Sequence, residues 1–368
     1  MTLICSESIE QKVLSGKRLS REEGLWLWQK GDLLELAQLA NTVRFRHTPQ
    51  PEVSFVIDSN PNYTNVCITD CVFCAFYRKP GNAEGYWLTV EQVMEKVRRA
   101  SEQGATTVLL QGGHNPEIPL DYYLSLVRET RRQFPSVTPH FFTASEVTQM
   151  AGVSGLTIRE VLEKLKEAGQ RTLPGGGAEI LSDRIRRRLA TKKGGADAWL
   201  SVHRQAHQLG FKSTATMMFG HIEEDEDILI HLDHIRDLQD ETGGFTAFVP
   251  WSFKPGNTPL QKHIRQHAGP TQYLRMIAFS RVYLDNFPHV QASWFSEGKK
   301  TGQIALHFGA DDFGGTLFEE NVHAATTFIN KTTVDEIITL IHESGFTAVQ
   351  RTTLYETLRA FEPAALAA

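Results

Sequence analysis

The chain has 368 residues, 41% hydrophobic and 22% charged, which excludes a disordered protein and a short disulfide-stapled module. Thirty-eight Lys and Arg against 43 Asp and Glu leave a formal net charge of −5, the wrong sign for a nucleic-acid binder. No apolar run reaches the ~18 residues needed to cross a bilayer, and the start MTLICSESIEQK lacks the regions of a secretion signal, so a cytoplasmic protein without a membrane partner is expected.

Ser20 and Glu23 have the spacing of a capping box, and an amphipathic segment runs from there to about Ala40. Residues 1–50 are expected to form a helical extension. β-rich runs follow at Val53–Ile57, Thr106–Gln111, Thr138–Thr143, Gln170–Leu173, Lys212–Met218, Thr246–Trp251 and Val290–Phe295, with a poorer one at Ala310–Phe313. Helical stretches fill most gaps. Thr89 with Gln92 opens one, carrying Val90, Val93, Met94 and Val97 at helical period and stopping at Gly104. Thr157 with Glu160 opens another, with Ile158, Val161, Leu162 and Leu165 on one face, and Thr333 with Glu336 a third. Eight strands alternating with helices predict an α/β fold, a (β/α)8 TIM-type barrel over residues 51–356, with an open doubly wound sheet as the alternative. Residues 357–368 are expected to form a tail, frayed from Pro363 to Ala368.

The cysteines are Cys5, Cys67, Cys71 and Cys74. Cys5, in a terminal segment, is assigned no role. The other three form C-x3-C-x2-C, a cluster that signals metal or redox chemistry in a reducing compartment. A zinc site would need a fourth ligand such as His47 or His114, and zinc prefers paired C-x2-C units. A ferredoxin-like carrier would need four thiolates. A cluster held by three thiolates leaves one iron open, as a catalytic metal requires.

In a barrel the chemistry lies at the C-terminal strand ends. Those ends carry Gln111-Gly112-Gly113-His114, Ala144-Ser145-Glu146, Pro174-Gly175-Gly176-Gly177-Ala178-Glu179, Met217-Met218-Phe219-Gly220-His221, Trp251-Ser252-Phe253-Lys254 and Ser293-Trp294-Phe295. Glycines at such ends allow a ligand to approach the backbone closely. Ser145 also suits a helix N-cap. The triple glycine fits neither phosphate-binding fingerprint. The acidic run Glu223 to Asp227 reads as a first helical turn rather than a calcium loop, with Glu223 left open to another role. Arg186 sits in an Arg-rich run that could equally be a solvated basic face.

The segment NYTNVCITDCVFCAFYRKPG resembles the radical S-adenosylmethionine (SAM) motif, with Phe73 as the aromatic before the last cysteine. With LLQGGHNPE, LPGGGAEIL, TMMFGHIE, DETGGFTAFVPWSF, GADDFGGTLFEENV and AVQRTTLYE, the chain resembles one branch of that superfamily over roughly Pro51 to Glu356. That branch holds the menaquinone enzymes of the futalosine route and the 5-deazaflavin-forming enzymes. The resemblance implies a radical SAM barrel with a 4Fe–4S cluster on Cys67, Cys71 and Cys74. It implies SAM among Phe73, Tyr77, Gly112, Gly113, Ser145, Glu179, Arg186 and Met218, with Arg186 on the methionine carboxylate. His114 departs from the Glu of the general Gly-Gly-Glu motif. It further implies a small-molecule substrate, dehypoxanthine futalosine, held by Arg78, Trp251, Lys254 and Trp294. Hydrogen would leave ribose C4′ and the carbon radical would add to the substrate's benzoate ring. A base is then needed, for which His221, Asp312 and Glu320 are the candidates. A reduced flavodoxin- or ferredoxin-type protein would supply the electron.

Overall fold

The computed structural model describes residues 6–264, 267–322 and 324–363. Cys5 and the end of the expected frayed tail lie outside them. Among the described residues eleven strands run in chain order: β1 (Glu52–Val56), β2 (Asp58–Ser59), β3 (Thr107–Leu110), β4 (Thr138–Phe141), β5 (Thr172–Leu173), β6 (Lys212–Phe219), β7 (Phe245–Ser252), β8 (His289–Val290), β9 (Asp312–Gly315), β10 (Thr347–Arg351) and β11 (Thr357–Phe361). β1 and β2 are one barrel strand interrupted at Ile57. β2–β3–β4 and β5–β6–β7–β8 pair in parallel. A parallel bridge from Gln291 to Asp312 and the parallel pairing of β9 with β1 close the ring. Eight parallel positions with helices between them make the expected barrel.

Three differences from the expected elements have local causes. The N-terminal segment breaks into two helices, Arg21–Lys30 and Leu33–His47. Gly31 ends the first, and Asp32 caps the second by accepting from the Leu34 and Glu35 amides. Strand seven stops at Val290, and Trp294–Glu297 is a helical turn. Residues 357–361 are not tail: β11 pairs antiparallel with β10.

The four expected capping boxes behave differently. Those at Ser20 and Glu23, Thr89 and Gln92, and Thr157 and Glu160 form in full around each N-cap, whereas at Thr333 only the side-chain cap to Glu336 N–H is made. The N-terminal helices lie against the helix Pro270–Tyr283, where a Cβ on Gly24 would meet Tyr283 Cε2 at 2.3 Å.

Side chains alternate across each strand. Val108 and Leu110 of β3, and Ala215 and Met217 of β6, are buried in the apolar core. Their neighbours Thr107, Leu109, Thr214 and Thr216 point inward and line a cavity. Barrels are ordinarily filled by branched apolar residues. Here Asp58, Asn60, Thr107, Gln111, His140, Thr214, Thr216 and Gln291 line the interior, and a cavity of about 330 Å³ stays open.

β10 closes the bottom. It pairs in parallel with the N-terminal half of the first barrel strand, opposite β9. The chain then carries Arg351, Thr353 and Tyr355 beneath the cavity. Thr353 Oγ1 lies 2.6 Å from Thr107 Oγ1, and the Tyr355 ring stacks on His289 with centroids 3.8 Å apart.

Candidate active site

The cysteine loop follows the first barrel strand and is fixed by backbone bonds at both ends. Cys67 N–H donates to Arg78 O at 2.8 Å, and Val72 N–H donates to Leu189 O at 3.0 Å. Asp70 takes a left-handed conformation (φ 41°) at the turn. Cys67, Cys71 and Cys74 are free thiols that all line the cavity mouth. The Thr69 hydroxyl lies 2.9 Å from Cys67 Sγ and 3.4 Å from Cys71 Sγ. Burial pushes the Cys71 thiol up to about 11, against the pull of Lys193.

Among the described residues no three His, Cys, Asp or Glu side chains converge as one metal ion would require. A 4Fe–4S cluster instead places each thiolate on a separate iron, so its cysteines surround a volume. Three free thiols round a cavity mouth, with a buried cation beside them, fit that group.

The glycine turns are tight for steric reasons. A Cβ on Gly113 would sit 2.2 Å from Val66 O, and one on Gly112 would sit 2.6 Å from the Tyr63 ring. Glu146 locks this turn. Its carboxylate accepts from Tyr63 Oη (2.6 Å), Gly112 N–H (2.9 Å), Thr143 N–H (2.7 Å) and Thr143 Oγ1 (2.7 Å). Burial still holds its carboxyl above the ordinary range. The N-cap of the helix Ala144–Ser154 is Thr143, not Ser145. The Ser145 hydroxyl is therefore left on the cavity, 3.1 Å from His114 Nε2. Burial and nearby Lys193 push His114 down to about 3, so its ring is neutral.

Glu179 stands at φ 43° after the triple glycine and is 6% exposed. Lys193 Nζ donates to its Oε1 at 2.9 Å and lies 5.5 Å from the Phe73 ring centroid. Burial opposes the Lys193 charge, but Glu179 and Cys71 outweigh it and raise the ammonium above its ordinary range.

Phe73, Tyr77, Gly112, Gly113, Ser145, Glu179, Trp251 and Glu320 all line the cavity with the cysteines. The other expected site residues do not. Arg186 is buried and its guanidinium donates to Gly177 O, Ala178 O and Gly194 O and lies 3.4 Å from Glu179 Oε2, so it holds the glycine loop, whereas Lys193 itself faces the cavity. Met218 is fully buried and packs in an apolar cluster behind Cys71. The His221 side chain bonds Met218 O and faces Glu223, away from the cavity. Glu223 accepts from the Gly220 and His221 amides of the loop before the helix Asp225–Thr242, whose first turn holds Asp225, Glu226 and Asp227. Asp312 is fully buried and paired with Arg351. Arg78 pairs with Glu84 and donates to carbonyls of its own loop. Lys254 pairs with Glu297 at 2.6 Å. Trp294 is 1% exposed and donates to Gly315 O behind β9. Each is turned aside by a nearer partner than the cavity offers.

Asp58, Lys193 and Arg351 also line the cavity and were not read from the sequence, and Glu146, read there at the end of a strand, lines it too. The only sequence signal for Asp58 is its position at the end of the first barrel strand.

The family profile described as the radical SAM superfamily matches residues 62–235, and the CofH/MqnC C-terminal region matches residues 242–364. The chain is 40% identical over 356 residues to the cyclic dehypoxanthine futalosine synthase of Halalkalibacterium halodurans, covering 97% of this chain and 96% of that protein. It is 42% identical over 359 residues to the aminodeoxyfutalosine synthase of Thermus thermophilus, covering 96% of each. Among solved structures, methylornithine synthase (PylB) superposes with a TM-score of 0.72 over 92% of this chain and 96% of that one. Identity there is 17%, so the likeness concerns the fold.

Proposed function

This chain belongs to the radical SAM superfamily, in the family of the futalosine-pathway synthases, and from that premise we propose that it converts dehypoxanthine futalosine to its cyclic form. The family works with a 4Fe–4S cluster and SAM, which together supply a radical strong enough to take hydrogen from an unactivated C–H bond. In this reading Cys67, Cys71 and Cys74 hold the cluster. Gly112, Gly113, Ser145, Glu179 and Lys193 surround SAM, with Phe73 and Tyr77 beside them. Trp251 and the polar interior around Gln291 and Arg351 receive the substrate. Hydrogen leaves ribose C4′, and the resulting carbon centre adds to the benzoate ring of the same molecule.

The observation that carries the proposal is the shape of the cavity. It runs from the thiols to a floor sealed by Arg351, Thr353 and Tyr355. A blind chamber suits one molecule whose two ends react with each other, and it keeps water from the radical. The reading includes a reduced flavodoxin- or ferredoxin-type donor and a cytoplasmic setting without nucleic acid. The net charge of −5 supports the last point. Among the described residues no helix is long and apolar enough to cross a membrane.

A second reading, an aminodeoxyfutalosine synthase, is favoured by the 42% identity. The two are separated by anaerobic turnover of the iron-reconstituted protein with SAM, dithionite and dehypoxanthine futalosine, followed by mass spectrometry. The first reading expects 5′-deoxyadenosine and a product two hydrogens lighter than the substrate. 5′-Deoxyadenosine without that product would overturn the first reading and leave the second, in which the radical adds to a separate molecule.

A further inference from the structure

The cyclisation leaves a proton to be removed, and the three bases expected from the sequence are badly placed for it. His221 faces away from the cavity, and Asp312 is neutralised by Arg351. Glu320 sits at the mouth and accepts from the Val322 and Ala324 amides. Two further groups on the cavity are also committed. Glu146 has both oxygens occupied by the donors of the glycine turn. His140 shares a hydrogen bond with Thr172, and burial pushes its ring down to about 3, which makes it a poor proton acceptor.

Asp58 differs from all of these. It ends the first barrel strand, is 4% exposed, and lines the cavity near the floor. Space for its carboxylate is made by Gly315, where a Cβ would sit 2.1 Å from Asp58 Oδ1. The Leu317 amide donates to that oxygen at 2.8 Å, with the Thr316 hydroxyl at 3.5 Å. Among the described residues Oδ2 accepts no hydrogen bond. The charged groups around it come from two other strands: Arg351 of β10 favours its ionised form, and Asp312 of β9 opposes it. Burial is the larger influence and pushes the Asp58 carboxyl up to about 6. A base poised near the working pH is the most effective kind.

We propose that Asp58 is the proton acceptor of the ring-closing reaction. The inference rests on the cyclase reading. Once the new C–C bond has formed, the ring carbon that received it still carries its hydrogen, and the ring holds one unpaired electron. That C–H bond breaks and its proton passes to Asp58 Oδ2. The bonding pair stays in the ring, one electron leaves to an acceptor of the iron–sulfur class, and aromaticity returns.

The test is Asp58→Asn in the full, cluster-loaded enzyme with SAM, dithionite and dehypoxanthine futalosine. Cyclic product is expected to fall about 10²-fold or more, in the range measured for lost general bases. 5′-Deoxyadenosine formation should fall only a few-fold, so the two become uncoupled, and Asp58→Glu should restore part of the coupling. An unchanged ratio of cyclic product to 5′-deoxyadenosine in the Asn variant overturns the assignment. Wild type that makes 5′-deoxyadenosine but no cyclic product overturns the cyclase reading itself, and the assignment with it. If the Asn variant does not fold, wild type decides alone. Its rate of cyclic product should rise with pH through about 6 and then level, because Asp58 must be ionised. A rate flat from about pH 5 to about pH 8 overturns the proposal.

Discussion

The rim and the floor of the barrel are built by opposite means. At the rim, short contiguous stretches do the work: three cysteines within eight residues, two glycines after β3 and three after β5. The constraints there are backbone constraints, such as the 2.2 Å between a Gly113 Cβ and Val66 O. At the floor, residues far apart in sequence meet. Arg351 reaches Asp312, Asp58 meets Thr316, and Tyr355 stacks on His289. The rim presents thiols to a cofactor, whereas the floor holds ions together in a dry interior. Damage to the rim should therefore stop chemistry and leave the fold, and breaking the buried ion pair of the floor should destabilise the protein.

The largest expected effect tests the rim. Replacing Cys67, Cys71 or Cys74 by Ala should lower bound iron and abolish 5′-deoxyadenosine formation. The thermal midpoint of the iron-free protein should stay within a few degrees of wild type. Full turnover in any of the three variants would remove that residue from the cluster. A collapse of the iron-free fold would erase the distinction between rim and floor.

Next comes the floor. Arg351→Ala leaves the buried Asp312 carboxylate without its cation, and such a loss costs about 3–5 kcal/mol. Urea unfolding should show a lower midpoint at similar slope. A variant as stable as wild type would mean that the strand β10 closes nothing. Arg351→Ala with Asp312→Ala together should recover part of the loss, because the uncompensated charge is then gone.

The same contrast explains what could be read in advance. The barrel, its helices and the cysteine loop follow from period, capping and spacing, which are local. Phe73, Tyr77, Gly112, Gly113, Ser145, Glu179, Trp251 and Glu320 reach the cavity because strand ends and their turns point there. Arg186, Asp312, Lys254 and Trp294 occupy equally promising positions in sequence. Each is taken by a partner that only the folded chain supplies: the Gly177 carbonyl, Arg351, Glu297 and the Gly315 carbonyl. Asp58 and Arg351 were missed for the converse reason. Their importance depends on β10 lying against β1, a pairing across almost 300 residues.

Acid should weaken the floor by a smaller amount. His140 lies on the cavity wall, and burial pushes its ring down to about 3, with Arg351 adding to the effect. In the unfolded chain its value returns to about 6.5. The unfolded state therefore binds a proton below 6.5 that the native state refuses, so stability is lost as pH falls from there toward 3. Between about pH 7.5 and pH 5 this one ring should cost about 2 kcal/mol. His140→Asn should flatten the pH dependence of the urea midpoint by that amount. An identical slope in the variant would mean that water reaches the ring.

Arg78 gives the smallest expected effect and the sharpest test of where the rim ends. The sequence places it four residues after Cys74, where a cation for the substrate carboxylate would be welcome. The fold turns it outward. Its side chain is a third exposed and pairs with Glu84, whose own side chain is 70% exposed. Exposed pairs of this kind contribute about 1 kcal/mol or less. Its bonds to the Ala75, Phe76 and Tyr77 carbonyls close the end of the cysteine loop. Arg78→Gln should therefore leave KM for the substrate within about twofold, since an ionic contact to a carboxylate would be worth tenfold or more. A large rise in KM at constant kcat would put Arg78 in the cavity during turnover. The cysteine loop would then have to reopen at Arg78, and the rim would be a moving part of the enzyme rather than a fixed one.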